Sequence, residues 1–226
     1  MHLLILGRGK TGSLVSEVAR ERRHKVEIIG ASDNREAAGL NDARLQACNV
    51  VIDFTTPEAA LSNMRACIAA GKTMVVGTTG WYRELPAIRA LVEKSGVGFL
   101  YAANFSVGVN LFFDLARVAA QALTHEYHGQ IFERHHATKK DAPSGTALAM
   151  QQIIRQSAGQ ELEITSFREG EVVGLHELVF ESPNDRIYLC HDATSRRGFA
   201  EGAVRAAEWL VGKKGFFEFK DVWRDL

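Results

Sequence analysis

The segment from His135 to Thr146 holds side chains that can move protons and hold anions, all within twelve residues. The imidazoles of His135 and His136 titrate near neutrality, so each can donate or accept a proton. Lys139 follows, and its ammonium group can hold a carboxylate or deliver a proton. Because neighbouring residues of a strand point to opposite faces, the two histidines can share one pocket only if the strand has already ended there.

A helix is predicted directly after these residues, over Thr146 to Ala158, and its start suits an anion. Pro143 precedes it, and Ser144 or Thr146 can cap it. The backbone N–H groups of Gly145 and Thr146 would then point at a bound carboxylate. The alternative is a polar surface loop ahead of an ordinary capped helix. The histidines, the lysine and the helix start together favour a site for a carboxylated substrate.

A second candidate site lies near the start of the chain, in the loop Gly7-Arg8-Gly9-Lys10-Thr11-Gly12. It follows a predicted strand and opens a predicted helix, which is the context in which GxGxxG binds a dinucleotide pyrophosphate. Asp33, at the expected end of the second strand, can accept hydrogen bonds from the adenosine ribose. An acid there favours NADH over NADPH, although Lys10 and Arg35 are near enough in sequence to offset its charge. In the alternative, the glycines only make a tight turn and Asp33 only caps the next element.

Two further segments follow the fourth and fifth predicted strands, where such a sheet presents its carboxyl edge to a ligand. They are Gly77-Thr78-Thr79-Gly80 and Ala102-Ala103-Asn104-Phe105. Their small residues and hydroxyls would let backbone groups approach the nicotinamide half of the cofactor. Each segment alone is equally well explained as an ordinary turn, but their joint placement favours cofactor contacts at Gly77, Thr78 and Thr79 and from Ala102 to Phe105.

Short, unbroken apolar runs predict the strands that must carry these loops, since strands buried on both faces of a parallel sheet do not alternate. The predicted strands are Leu3 to Leu6, Val26 to Gly30, Val50 to Phe54, Thr73 to Val76 and Gly98 to Tyr101, with helices at Gly12 to Arg22, Pro57 to Ala70 and Leu85 to Lys94. This βαβ order indicates an α/β fold, an N-terminal Rossmann-type, doubly wound parallel sheet.

The pattern changes after Asn104, and a second, α+β domain for substrate binding and oligomerisation is expected. Its predicted elements are a helix at Leu111 to Leu123, the helix at Thr146 to Ala158, and strands at Gln130 to His135, Glu163 to Arg168, Leu175 to Ser182 and Arg186 to His191, in an antiparallel or mixed sheet. We expect domains at 1–104 and 105–199. A final helix, Ala200 to Val211, and the tail within 200–226 would complete the first domain.

Composition narrows the possible partners. The formal net charge is zero, which gives no reason to expect a nucleic acid or an anionic membrane surface. No run reaches the ~20 apolar residues that span a bilayer, and the chain opens without a charged leader. Cys48, Cys67 and Cys190 lack the spacing of a disulfide framework or a zinc site. A cytoplasmic protein without a metal is expected.

Five segments resemble the 4-hydroxy-tetrahydrodipicolinate reductase family, whose members are also called dihydrodipicolinate reductases. The most specific is Glu133 to Ala147, which matches the family signature ExHHxxKxDAPSGTA. The others are Asp53 to Glu58, Gly77 to Gly80, Asn104 to Asn110, and Ser195-Arg196 with Phe199 to Ala203. The glycine loop differs, since Lys10-Thr11 stands where the family commonly has an extra residue and an Arg-Met pair. The segment between the second and third strands is also shorter than in long members.

The resemblance implies a homotetrameric enzyme that reduces a cyclic dicarboxylate with NADH or NADPH. It implies that His135 is a proton donor or acceptor and that Lys139 is a proton donor. It also implies that His136, Gly145 and Thr146 contact substrate carboxylates. Since the hydride donor belongs to the other domain, we expect the two domains to close for catalysis.

Two other functions remain as alternatives. One is a different two-domain Rossmann reductase, such as an amino-acid semialdehyde or homoserine-type dehydrogenase, which would lack the segment His135 to Thr146. The other is a dinucleotide sensor that binds nucleotide without turnover.

Overall fold

In the computed structural model, which describes every residue from Met1 to Leu226, ten strands form two separate sheets. The strands are β1 (His2–Leu6), β2 (Lys25–Ile29), β3 (Val50–Asp53), β4 (Thr73–Val76), β5 (Gly98–Tyr101), β6 (His128–His135), β7 (Glu163–Arg168), β8 (Leu175–Glu181), β9 (Arg186–Asp192) and β10 (Gly215–Glu218). Each sheet belongs to its own compact unit. One unit comprises Met1–Val107 with Arg197–Leu226, and the other comprises Gly108–Arg196.

The chain has eight α-helices, of which seven connect strands and α8 follows the last one, and several begin or end at residues that favour a helix terminus. The helices are α1 (Lys10–Glu21), α2 (Asp42–Ala47), α3 (Pro57–Ala69), α4 (Leu85–Ser95), α5 (Val107–Ala119), α6 (Gly145–Ala158), α7 (Arg197–Leu210) and α8 (Phe219–Val222). Thr56 caps α3 through the N–H of Ala59, with Pro57 in the first turn. Gly96 and Gly159 end α4 and α6 in the left-handed conformation that glycine adopts without strain.

All six strands of the first sheet are parallel, in the order β10-β5-β4-β3-β1-β2. Leu3 and Ile5 pack into the core on one face, against α1 and α7, whereas Leu4 and Leu6 pack into the core on the other face with α3 and α4. This burial on both faces explains why the strands do not alternate in sequence. The Rossmann-type sheet that the sequence predicts is confirmed.

The second sheet has the order β7-β6-β8-β9, with one parallel and two antiparallel pairs. The inward residues Ile131, Leu178 and Phe180 form a core with α5 and α6. The predicted mixed sheet and its α+β class are therefore confirmed.

Some predicted boundaries are wrong. β2 ends at Ile29, so Asp33 lies in the following loop rather than at a strand end. α7 begins at Arg197 instead of Ala200, and the short α2 was not predicted. The tail contributes β10, which pairs with β5 and gives the sheet its sixth strand. None of the helices is long and apolar enough to cross a bilayer.

Candidate active site and dinucleotide pocket

The loop between β1 and α1 has the backbone that a dinucleotide requires. Gly7 has φ +105°, and a Cβ there would lie 2.1 Å from the carbonyl oxygen of Phe54. A Cβ on Gly12 would lie 2.0 Å from the Gly7 carbonyl oxygen. Gly9 is the N-cap of α1, so the cap residue itself brings no side chain to the first N–H groups of the helix. An anion can therefore approach these N–H groups closely.

A cavity of about 300 Å³ opens over this loop. It brings together the segment from Gly9 to Gly12 and the segment from Gly77 to Thr79, with Phe54, Thr55 and Pro57 completing the wall. Two sequence segments that were predicted separately thus face one pocket. Ala102, Ala103, Asn104 and Phe105 do not line this cavity.

The ring of Phe105 is buried against other aromatic rings. It lies 6.1 Å from that of Phe54 and 4.9 Å from that of Phe219, measured between centroids. A Cβ on Gly202 would lie 1.8 Å from the Phe105 carbonyl oxygen, so α7 packs directly on this segment. In this structure Phe105 anchors the end of β5 to α7.

Asp33 is joined to the glycine loop by an ion pair. Its Oδ2 lies 3.3 Å from Nη1 of Arg8 and accepts a hydrogen bond from the Gly30 N–H at 3.3 Å. Arg8 also donates to the Ile28 carbonyl at 3.1 Å. The carboxylate that was predicted to meet the ribose is therefore accompanied by a guanidinium that the sequence interpretation did not pair with it.

Asp53 is a buried carboxylate to which the sequence analysis gave no role, although it interrupts the apolar run that ends β3. Its Oδ1 accepts hydrogen bonds from the Thr55 hydroxyl at 2.7 Å and the Thr78 hydroxyl at 2.6 Å. Its Oδ2 accepts from Asn63 at 2.7 Å. Burial raises the pKa of Asp53, and these hydrogen bonds oppose the shift. Thr78 lines the pocket, but its hydroxyl donates to Asp53 and stabilises the pocket wall.

His135 is the last residue of β6 and is buried, with its Nδ1 hydrogen-bonded to the Glu133 carboxylate. Glu133 is fully buried and also accepts hydrogen bonds from Arg168 at 2.7 Å and from the Ser144 N–H at 3.3 Å. Burial alone would raise the pKa of Glu133, but the bonds from Arg168 and the charge of His135 hold it at about 2. Burial lowers the pKa of His135, and the Glu133 charge opposes this shift.

β6 ends at His135, so His136 already lies in the following loop. This is the condition under which the two histidines could face one pocket. Nδ1 of His136 is 2.8 Å from the Thr138 hydroxyl, and its Nε2 is 3.2 Å from Nη2 of Arg196. Lys139 holds both carboxylate oxygens of Asp141 at 2.7 Å.

The N-terminus of α6 is capped as the sequence allowed, by Ser144 and not by Thr146. The Ser144 Oγ accepts from the Ala147 N–H at 3.2 Å and lies 3.2 Å from Nε2 of His176. The N–H groups of Gly145 and Thr146 belong to the first turn, where no intrahelical acceptor exists. A Cβ on Gly145 would meet nothing within 4 Å, so this helix start is open to an anion.

The structure adds four residues that the sequence analysis left without a role. Glu133 and Arg196 lie inside segments that resemble the family. A charged side chain beside the predicted site residues could have marked them as site residues. Arg168 and His176 lie on β7 and β8, and only the strand pairing brings them to β6. Cations, imidazoles and an open helix start thus surround one small region of the second unit. Such a region suits a ligand with more than one carboxylate.

Comparison with protein families matches both halves of the chain. The family described as "Dihydrodipicolinate reductase, N-terminus" matches residues 1–105, and "Dihydrodipicolinate reductase, C-terminus" matches residues 108–223.

Curated relatives match most or all of the chain. The 4-hydroxy-tetrahydrodipicolinate reductase of Christiangramia forsetii is 39% identical over 240 aligned residues, which cover 100% of this chain and 99% of that protein. The enzyme of the same name from Chromobacterium violaceum is 43% identical over 80% of this chain and 75% of its own length.

Among solved structures, a dipicolinate-bound dihydrodipicolinate reductase from Paenisporosarcina sp. has the same fold. It superposes with a TM-score of 0.81 at 22% identity and covers 98% of this chain and 99% of that one.

Proposed function

Since this chain belongs to the dihydrodipicolinate reductase family and is a pyridine-nucleotide-dependent oxidoreductase, we propose that its two candidate sites divide the work of reducing 4-hydroxy-tetrahydrodipicolinate. The reaction gives tetrahydrodipicolinate and water in the diaminopimelate route of lysine biosynthesis. The family, the class of enzyme and the reaction that the motifs predict are confirmed. The roles of individual residues are our proposal.

The first site is assigned to the cofactor. The loop between Gly7 and Gly12, where close main-chain contacts leave no room for a Cβ at either end, fits a pyrophosphate against the N-terminus of α1. When bound, the reduced nicotinamide would supply a hydride to the conjugated ring that forms once the substrate has lost its 4-hydroxyl group as water. Gly77, Thr78 and Thr79 wall the same pocket, and Ala102, Ala103, Asn104 and Phe105 remain our candidates for the nicotinamide end.

NADH is the favoured cofactor, and Arg8 is the residue that admits NADPH. Asp33 can accept hydrogen bonds from the ribose hydroxyls, whereas a 2′-phosphate would meet its charge. The side chain of Arg8 is 58% exposed, so its guanidinium is available to pair with a 2′-phosphate. We expect Arg8→Ala to raise the KM for NADPH at least tenfold and to change the KM for NADH by less than threefold, measured by initial rates.

The second site is assigned to proton transfer and to the carboxylates. Lys139 Nζ gives the proton to the ring carbon that has gained the electron pair, and His135 supports that transfer. Lys139 pairs with the exposed carboxylate of Asp141, which a substrate carboxylate would replace. His136 and the N–H groups of Gly145 and Thr146 hold the substrate carboxylates.

The observation that carries this assignment is the pairing of His135 with a fully buried carboxylate, next to Lys139 and an open helix start. Burying a carboxylate costs free energy, and a loop with a purely structural role would not require one. A dinucleotide sensor has no need of it either, and such a sensor would bind NADH without turnover.

We also propose a cytoplasmic homotetramer. The outer face of the second sheet carries exposed Phe167 and Tyr188 beside half-buried Phe132 and Val179, and Val179 is the cross-strand partner of Tyr188. Burial of these apolar side chains against a second copy would stabilise such an assembly. The three cysteines are free thiols, which suits a reducing compartment.

The activity is tested by following NADH oxidation by absorbance, with the freshly made condensation product of aspartate semialdehyde and pyruvate as substrate. Lys139→Ala should lower kcat at least a hundredfold while NADH still binds. Lys140→Ala, an exposed neighbour, should retain wild-type turnover. Wild-type protein that turns over neither nicotinamide would refute the activity, and an active Lys139→Ala variant would remove Lys139 from the mechanism.

A further inference from the structure

Glu133 is the most deeply buried acidic group of the second unit, and its partners come from three different segments. On the inner face of the sheet, apolar Ile131 and Leu178 give way to Glu133 and His176 at the end where α6 begins. Glu133 is 0% exposed. Burying a carboxylate costs several kcal/mol unless it is paired and hydrogen-bonded, and a well-packed apolar residue would avoid that cost.

The two oxygens of Glu133 have different partners. Oε2 faces Nδ1 of His135, whereas Oε1 accepts from Nη2 of Arg168 at 2.7 Å and from the Ser144 N–H at 3.3 Å. Ser144 is the residue that caps α6. A single carboxylate therefore touches the proposed proton-transfer residue and the start of the proposed carboxylate-binding helix.

Arg168 connects this arrangement to the loop that carries Lys139. Its Nη2 also donates to the carbonyl oxygen of Asp141 at 2.6 Å, and the Asp141 side chain holds Lys139. The guanidinium keeps Glu133 ionised. It also links that residue to the segment between β6 and α6.

We propose that Glu133 is a positioning residue that fixes the tautomer of His135 and its placement relative to the start of α6, an inference that rests on the proposed function. An ionised carboxylate only accepts hydrogen bonds, so Nδ1 of His135 must carry the proton. Nε2 is then the one nitrogen left to exchange a proton with the reaction.

The backbone opposite His135 is consistent with this assignment. A Cβ on Gly174 would lie 3.0 Å from Nε2 of His135. The absence of a side chain at Gly174 therefore leaves room beside that nitrogen. On the other side of the ring, Nδ1 has no partner except Glu133.

A Glu133→Gln variant gives a specific result because an amide has one acceptor and one donor end. Two donors, Arg168 and the Ser144 N–H, face the Oε1 position, and only one faces Oε2. The amide oxygen should therefore turn toward Arg168 and Ser144, and the NH₂ group toward His135. Nδ1 of His135 must then accept, so the ring should change to the tautomer protonated at Nε2.

The first measurement is the histidine side-chain ¹⁵N spectrum of the full-length protein, with the His135 signal assigned by its absence in His135→Gln. The wild type should show Nδ1 protonated, and Glu133→Gln should show Nε2 protonated. Glu161→Gln, which changes an exposed glutamate paired only with Arg155, is the matched control and should leave the spectrum unchanged.

The second measurement is kinetic. Glu133→Gln should lower kcat by roughly tenfold to a hundredfold, by analogy with the loss of an outer partner of a metal-bound histidine. The KM for NADH should stay within twofold. The limb of the kcat profile that reports His135 should move to lower pH, because the variant loses the negative charge that opposes the effects of burial, Lys139 and Arg168 on the pKa of His135. His176, which faces the same ring and has a pKa of about 4, stays neutral in that range.

A purely structural role predicts lower stability with an unchanged tautomer and an unchanged pH profile, and that result would overturn the inference. An Nε2-protonated His135 in the wild type would overturn it as well, even if Glu133→Gln does not fold. If the wild type lacks turnover while the spectra behave as expected, the proposed function fails and the tautomer assignment stands.

Discussion

The pH dependence of stability in the second unit should be governed in large part by His176. This side chain is 4% exposed, its Nε2 bonds the Ser144 hydroxyl, and no protein atom bonds its Nδ1. Burial, followed by the charge of His135, lowers the pKa of His176 from 6.5 to about 4. The folded protein therefore resists protonation that the unfolded chain accepts.

The sign follows from which state binds more protons. Above pH 6.5 both states hold a neutral His176, so its full contribution to stability is present. As the pH falls toward 4, the unfolded chain binds a proton that the folded protein does not, and stability is lost. Between about pH 7.5 and about pH 5, linkage with these two pKa values gives a loss of about 2 kcal/mol.

The assay is hydrogen exchange of peptides from β6 and β8 in the wild type and in His176→Gln at both pH values. Trp81, Trp209 and Trp223 all belong to the first unit, so tryptophan fluorescence would miss the change. The variant should be less stable by roughly 1–2 kcal/mol near pH 7.5, because a packed ring is lost. That difference should largely disappear near pH 5. A His125→Gln control, at an exposed histidine, should retain the wild-type pH dependence, and an equal dependence in His176→Gln would refute the reasoning.

Three other predictions follow from the geometry. Gly12→Ala places a Cβ 2.0 Å from the Gly7 carbonyl oxygen, so NADH affinity measured by fluorescence titration should fall at least tenfold. Ser144→Ala removes the α6 cap and a partner of His176. It should cost about 1 kcal/mol and raise the KM for the dicarboxylate several-fold, and an unchanged KM would separate the cap from substrate binding. Tyr188→Asp should shift sedimentation toward smaller species if the outer sheet face joins copies, and an unaltered sedimentation profile would place the interface elsewhere.

Sequence reasoning reaches furthest where the backbone alone decides the structure. Gly7 and Gly12 are required by a close approach between main-chain atoms, so the residue type marks the position without knowledge of any partner. The same holds for the strands of the first sheet, whose burial on both faces appears directly as unbroken apolar runs. The sixth strand, β10, was missed because four residues near the chain end carry too little pattern to distinguish a strand from a tail.

Side chains that meet only through strand pairing could not be placed from the sequence. Arg168 is 35 residues from Glu133 and His176 is 32 from Ser144, and nothing local links them. The Arg8–Asp33 pair was likewise unforeseen, because Asp33 was expected at a strand end and not in a loop that folds back to the glycine turn. In each case the missing information is the register of two elements, which depends on the whole sheet.

The two sites therefore place different demands on the chain. A pyrophosphate is held by N–H groups that every residue has, so the first unit needs glycines and a helix start, and few particular side chains. The proposed proton transfer requires one atom in one protonation state. Contact with solvent would let His135 exchange between its protonation states. Glu133 is buried next to His135, out of contact with solvent. The positive charge of Arg168 offsets the free-energy cost of burying the carboxylate. On our proposal, the tautomer of His135 is set by groups that the motif names only in part, because Arg168 on β7 keeps Glu133 ionised.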